Sequence, residues 1–185
     1  MKIIGITGPA AAGKWTVVEY LKELWFSHYS ASGFLTQELE KQGKEVNRDT
    51  MRELADSLRA QYGPSYVIEQ LYNQAKEKNE DAILESVRTV WEIELLRKKD
   101  PWFILLSVDA DQRLRYQRAV ERKSSKDNVS FEKFCEQEEL EKVNQDPNKW
   151  NISACQALAD ISIVNNWSIE ELYHQIEEGL SRFEG

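Results

Sequence analysis

Near the start of the chain, Gly8-Pro9-Ala10-Ala11-Ala12-Gly13-Lys14 sets two glycines and a lysine at the spacing of a phosphate-binding loop. A short apolar run, Lys2 to Thr7, precedes it, and a segment of helical periodicity follows. In that context the glycines let the backbone turn tightly and approach a ligand. The exposed N–H groups then point at phosphate oxygens, and the helix dipole adds to the field. Lys14 is expected to reach the β- and γ-phosphates of ATP. The alternative is a glycine-rich strand-to-helix turn with a solvated lysine. Such loops carry Ser or Thr directly after the lysine, to hold Mg²⁺. Here Trp15 stands in that place and Thr16 comes one residue later. Gly8 through Thr16 are the candidate cofactor-binding residues, with Thr16 a candidate metal ligand.

The loop needs a strand behind it and a helix in front. Lys2 to Thr7 reads as a buried strand and Thr16 to Leu24 as a helix with Val17, Leu21 and Leu24 on one face. His28 to Ser30 reads as a short strand and Phe34 to Lys41 as a helix stopping at Gly43. Asn47 is a good N-cap for the next helix, whose face is Met51, Leu54, Ala55, Leu58 and Tyr62. Gly63-Pro64 ends it, and another helix runs from Ser65 to about Lys78. Further strands are expected at Asp81 to Glu85, Phe103 to Val108 and Asp160 to Val164, with helices at Val90 to Lys98, at Asp111 to Lys123 and after Ser130. Ser168-Ile169-Glu170-Glu171 is a capping-box pattern opening a terminal helix with Ile169, Leu172, Tyr173, Ile176 and Leu180 inward. Alternating strands and helices predict an α/β, three-layer fold: a five-stranded parallel sheet with helices on both faces. We expect one domain over 1–185, with acceptor-side helices at about 33–79 and a lid region at about 112–150.

The bulk composition agrees. The chain has 185 residues, long enough for one domain with a real core. A formal charge of −8 argues against nucleic acid and membrane surfaces as partners. Cys135 and Cys155 form no metal or redox pattern, no apolar run reaches membrane-spanning length, and the first residues are too short for a signal segment. The expected location is the cytoplasm, as a monomer or homodimer.

The distribution of motifs resembles small P-loop kinases of nucleoside or deoxynucleoside monophosphates and the related dephospho-coenzyme A kinases. The order Gly13-Lys14-Trp15-Thr16 is similar to the adenylate-kinase type, in which glycine holds the third place. Ile83-Leu84-Glu85-Ser86-Val87-Arg88 resembles their third strand, ending in an acidic residue followed by arginine, and Glu92 and Leu95-Leu96-Arg97 continue it. Val108-Asp109-Ala110-Asp111, with Arg113, Arg115, Arg118 and Arg122, resembles the fourth strand and the lid. Ala159 to Asn166 resembles the last strand and its turn. Two features depart from that pattern. No charged residue follows the second strand until Glu38, and Lys123-Ser124 stands where a second close arginine is common.

The resemblance implies transfer of the γ-phosphate of Mg-ATP to a small acceptor, first a (deoxy)nucleoside monophosphate. Dephospho-coenzyme A is the alternative acceptor, and a non-catalytic nucleotide-binding module is the contrasting class. Such transfer is mostly positioning and charge neutralisation. Lys14 and Mg²⁺ would clamp the donor, and Arg118 and Arg122, four apart on one helix face, would close over the transferring phosphate. Their structural alternative is a salt-bridged surface pair, with Glu121 and Glu138 as partners. Glu85, at a strand's C-terminal end, would hold Mg²⁺ or activate the acceptor, and Arg88 would bind the acceptor phosphate. Arg48, Arg52 and Arg59 lie on the helix expected to border the acceptor. No chemistry is assigned to His28 or His174.

The six tryptophans, Trp15, Trp25, Trp91, Trp102, Trp150 and Trp167, mostly fall where the chain wants glycine: a phosphate loop, a helix C-cap and turns. Glycine itself is 8 of 185 residues, about 4% against an average of about 7%. Two readings fit: glycine codons (UGA) read as tryptophan, or six genuine tryptophans.

Overall fold

The computed structural model describes residues 1–122 and 129–183. Its centre is a parallel sheet in the order β2-β3-β1-β4-β5, built from β1 (Ile3–Thr7), β2 (Ser27–Ser30), β3 (Ala82–Glu85), β4 (Ile104–Asp109) and β5 (Ile161–Val164). β1 lies in the middle and is buried along its whole length, which is why it reads as an unbroken apolar run. Successive side chains on a strand point to opposite faces, so the sheet sorts its apolar residues into two cores. Ile3, Leu84 and Leu105 face one cluster; Ile4, Ile83 and Leu106 face the other.

The second core is closed by α1 (Lys14–Glu23) and α9 (Ile169–Ser181). The first is closed by α2 (Ala31–Lys41), α3 (Arg48–Tyr62), α4 (Tyr66–Lys78), α5 (Val90–Lys99) and α8 (Ile152–Ala157). Between β4 and α8 come α6 (Gln112–Glu121) and α7 (Phe131–Lys142). The insertions expected after the second and fourth strands are therefore α2–α4 and α6–α8. Among the described residues no helix is long and apolar enough to cross a membrane. Cys135 and Cys155 are both free thiols.

Several boundaries differ from the sequence reading. α2 starts at Ala31, not Phe34, because the Ser30 hydroxyl accepts the Gly33 N–H and caps it. α8 was not expected; six residues carry too little periodicity to announce a helix, and Asn151 caps it by accepting the Ala154 N–H. On α9, Ile169 is exposed while Leu172 and Ile176 face inward. α3 departs most. Its capping box on Asn47 forms as read, but Tyr62 is exposed and stacks on Tyr66, while Arg48 and Arg59 are buried. Buried arginines are stable only with partners, and α5 and α7 supply carboxylates for both. Of the expected lid stretch Arg122-Lys123-Ser124, Lys123 and Ser124 lie outside the described residues.

After α1 the chain reverses with Phe26 N–H donating to Leu21 O and Trp25 N–H to Lys22 O, which forces Trp25 into the left-handed region at φ 70°. That conformation costs a residue with a Cβ about 1–2 kcal/mol. The indole is 91% exposed, so little packing offsets the cost. Trp25→Gly is expected to raise the unfolding free energy by about 1 kcal/mol in a urea titration. An unchanged or lower midpoint would contradict this account.

Candidate functional site

The loop from Gly8 to Gly13 joins the central strand to α1, and its two glycines are required by close approach as well as by φ. Gly8 has φ 129°, and a Cβ there would lie 2.0 Å from the Val108 carbonyl oxygen. Gly13 has φ 97°, and its Cβ would lie 2.0 Å from Asn165 Nδ2. Asn165 is buried and donates that amide to Ala12 O at 2.9 Å, while its own N–H donates to Asp109 O. The turn after β5 thus braces the loop from below. Trp15 and Thr16 form the first turn of α1, with Thr16 N–H donating to Gly13 O.

Lys14 folds back across its own loop. Its ammonium donates to Gly8 O at 2.9 Å and Pro9 O at 2.6 Å. Burial first, and then the charges of Arg88 and Arg48, lower its pKa to about 7. Arg88 also donates Nη1 to Gly8 O at 2.7 Å and is itself lowered by burial. Two cations therefore converge on one carbonyl beside the phosphate loop. Such an arrangement favours an anion that would share their charge.

Glu92 is completely buried and fixes Arg88. One carboxylate oxygen accepts the N–H groups of Arg88 (2.7 Å) and Thr89 (3.1 Å), and the Thr89 hydroxyl accepts Glu92 N–H in return. The other oxygen accepts Nε and Nη2 of Arg59 at 3.1 and 2.7 Å. One side chain thereby ties α3, the turn after β3 and α5 together. The Thr-x-x-Glu pattern of a capping box is visible in the sequence from Thr89 to Glu92, but the second job of Glu92, holding Arg59, is not. At the N-terminal end of α3, Arg48 makes a bidentate pair with Glu141 of α7, at 2.7 and 2.8 Å.

These elements enclose a cavity of about 280 Å³ between the phosphate loop and α2–α3. Lys14, Arg48, Arg59, Arg88 and Arg122 line it against two carboxylates, Glu85 and Glu141; Ala10 and Ala11 of the loop, Leu35 and Met51 complete the wall. In a chain of charge −8 this is a local cationic pocket. Arg59 Nη1, on its wall, has no hydrogen-bond partner among the described residues. An additional acceptor there would satisfy a donor whose burial otherwise costs free energy.

Of the expected site residues, Lys14, Glu85, Arg88 and Arg122 meet at this cavity. Arg118 does not line it. Arg122, the C-cap of α6, lines the cavity, whereas Arg118, in the last turn of that helix, is partly buried and its Nη1 has no hydrogen-bond partner among the described residues. Glu138, expected beside that pair, instead binds Arg115 through both guanidinium nitrogens, and Arg115 Nε donates to Ala110 O. Glu121 accepts from Gln117. Asp109 binds Gln156 and the Ala110 N–H outside the cavity. Arg52 pairs with Asp49 and stays outside as well.

His28, to which sequence gave no chemistry, lies against the site. Its Nε2 is 2.9 Å from Glu85 Oε2. Burial would raise the Glu85 carboxyl, but the His28 hydrogen bond, with Lys14 and Arg88, outweighs it and holds the group below its ordinary value. The contact joins residues 57 apart in sequence, and no local pattern could have announced it.

Comparison with known proteins agrees with this geometry. The AAA domain family matches residues 4–144. A UPF0200 protein of Staphylothermus marinus is 29% identical over 171 residues, spanning 92% of this chain and 87% of its own. The fold superposes on a gluconokinase from Sinorhizobium meliloti with a TM-score of 0.59 at 12% identity, over 98% of this chain and 92% of that one. It superposes on a shikimate kinase from Acinetobacter baumannii, solved with shikimate, with a TM-score of 0.60 at 16% identity, over 100% and 96%. At such identities the likeness is one of fold: a P-loop kinase-like α/β domain with a nucleotide-binding loop.

The lowered pKa of Lys14 gives a signed prediction. Free protein at pH 7 holds this lysine about half protonated, and a bound triphosphate would restore it toward its ordinary value of 10.5. Triphosphate binding is therefore expected to take up protons near pH 7 and to weaken as pH rises from about 7 toward 10. Calorimetry in buffers of different ionisation enthalpy measures the uptake directly. The same experiment on Lys14→Met should lose the Lys14 contribution.

Proposed function

This chain belongs to the AAA domain family, and from that footing we propose that it is an ATP-dependent phosphotransferase acting on a small anionic acceptor, most readily a (deoxy)nucleoside monophosphate. One observation carries the reading: the cationic cavity opens directly onto the phosphate loop, with Lys14 and Arg88 sharing the Gly8 carbonyl at the junction. A donor phosphate on the loop and an acceptor anion in the cavity would meet there.

In this reading Lys14 binds the β- and γ-phosphate oxygens. Arg88 and Arg59 orient the acceptor's anionic group, both anchored by Glu92 so that they hold position as charge develops. An acceptor oxygen attacks the γ-phosphorus, the bond to the β–γ bridging oxygen breaks, and ADP departs with the electron pair. Leu35 and Met51 give the cavity an apolar wall for the body of the acceptor.

Mg²⁺ suits the residues present. It is a hard cation, usually bound by one or two carboxylates together with substrate phosphates. Glu85 offers an ionised carboxylate on the cavity wall, and Thr16 a hydroxyl on the first turn of α1. Among the described residues no cluster of three or more metal-binding side chains exists, which fits an ion arriving with its nucleotide. When bound it would neutralise charge on the phosphates.

A second reading, a nucleotide-binding module without efficient transfer, draws on Trp15, an exposed indole beside Lys14 in the phosphate loop. Coupled ADP release separates the two. The panel is nucleoside and deoxynucleoside monophosphates and dephospho-coenzyme A, on this chain, Trp15→Gly, Lys14→Met and Arg88→Ala. We expect acceptor-dependent turnover with a monophosphate, lowered by roughly 10²-fold in Lys14→Met, and a raised acceptor KM in Arg88→Ala. Turnover with dephospho-coenzyme A alone would change the acceptor. Bound ATP without turnover in either this chain or Trp15→Gly would establish the module.

A further inference from the structure

We propose that His28 is a positioning residue for Glu85, fixing the carboxylate that meets the metal–nucleotide; the assignment rests on the reading of Glu85 given above. β2 and β3 pair in parallel with Ser30 opposite Glu85 and His28 opposite Ile83. Alternate residues on a strand share a face, so His28, two before Ser30, lies on the face that Glu85 uses. The two side chains meet at 2.9 Å, each less than a fifth exposed.

An ionised carboxylate can only accept, so Nε2 must carry the proton in this bond. The terminal torsion of a glutamate is broad, and an unsupported carboxylate would sample many orientations. The bond holds Oε2 and leaves Oε1 free of it, in a residue that lines the cavity. The edge of the Trp15 indole, 5.8 Å between ring centroids, packs on the imidazole and limits its movement. Hydrogen bonds of this kind, behind a carboxylate that meets a metal, typically govern about 10- to 100-fold in metal affinity.

The test is calorimetric binding of ATP, with excess Mg²⁺ and with EDTA, to the unaltered chain and to His28→Gln, His28→Asn and His28→Leu. The glutamine amide reaches where Nε2 sits; the asparagine amide is too short. Metal-free affinity, set by the phosphate loop, is expected to be the same in all four and reports that each is folded. The gain on adding Mg²⁺ is expected to survive in His28→Gln and to fall about tenfold in His28→Asn and His28→Leu. An equal gain in all four, or loss in His28→Gln as well, overturns the assignment. Turnover with unchanged gains leaves the phosphotransferase reading standing and removes His28 from it. Altered gains without turnover do the reverse.

A separate observation carries a second inference. Trp25 occupies a left-handed helix terminus, and Trp15, Trp91, Trp102 and Trp167 are all exposed. Trp150 differs from these: it is buried in the first core, with the Arg88 guanidinium 5.1 Å above its ring. In a glycine-poor chain Trp25, Trp91, Trp102 and Trp167 thus stand at turns and helix ends with their indoles largely in solvent. We infer that the source gene encodes these four with UGA read as glycine. Sequencing the gene and mass spectrometry of its natural product decide this. UGA codons and glycine-containing peptides are expected; UGG at Trp25 or Trp167 overturns it.

Discussion

The buried carboxylate of Glu92 is the constraint on which the site depends. It carries a charge to a place without solvent, and it is tolerated there because four N–H donors surround it, two from Arg59 of α3 and two from the turn between β3 and α5. Removing any partner would leave a charge unpaired in the interior. The same requirement keeps α3 against α5 and holds the Arg88 backbone at the end of the turn after β3. Positioning of Arg59 and Arg88 is therefore a consequence of how the core solves an electrostatic problem. The Arg48–Glu141 pair repeats that solution between α3 and α7, so the cavity is clasped at two points by buried ion pairs.

The cavity itself is built with the opposite balance. Around Lys14 cations outnumber carboxylates, and burial first, then the neighbouring arginines, lower its affinity for its proton. A pocket of this kind is unfavourable to the free chain and favourable to a bound polyanion. Stability given up at Lys14 reappears as differential affinity for phosphate, in the manner expected where sites shift pKa values for a purpose. The loop glycines contribute differently. At Gly8 and Gly13 the neighbouring Val108 carbonyl and Asn165 amide leave no room for a Cβ, so the loop is braced by β4 and by the turn after β5.

Strand and helix periodicity made the five strands and the main helices legible, and strand–loop–helix context identified the phosphate loop. The cores follow from the same pattern, since an apolar run in a parallel sheet is buried on both sides. α3 shows where periodicity fails. Met51 and Ala55 are buried as its spacing predicted, but Tyr62 is exposed, and Arg48 and Arg59 are buried beside them, because their partners lie 93 and 33 residues away. A single sequence carries no mark of such pairings. Arg118 and Arg122 show the same limit: helical spacing put them together, and only Arg122 lines the cavity.

What the sequence by itself determined is local chemistry: a loop whose glycines and lysine suit phosphate, capped helices and alternating apolar strands. These depend on neighbours within a few residues, so they are written in order along the chain. Tertiary structure alone decided which charges met. His28 reached Glu85 because β2 pairs with β3; Asn165 reached the phosphate loop because β5 ends beside it; Arg59 reached Glu92 because α3 lies across α5. Electrostatic pairing acts through space over a few ångströms, and only the packed fold brings distant residues within that range.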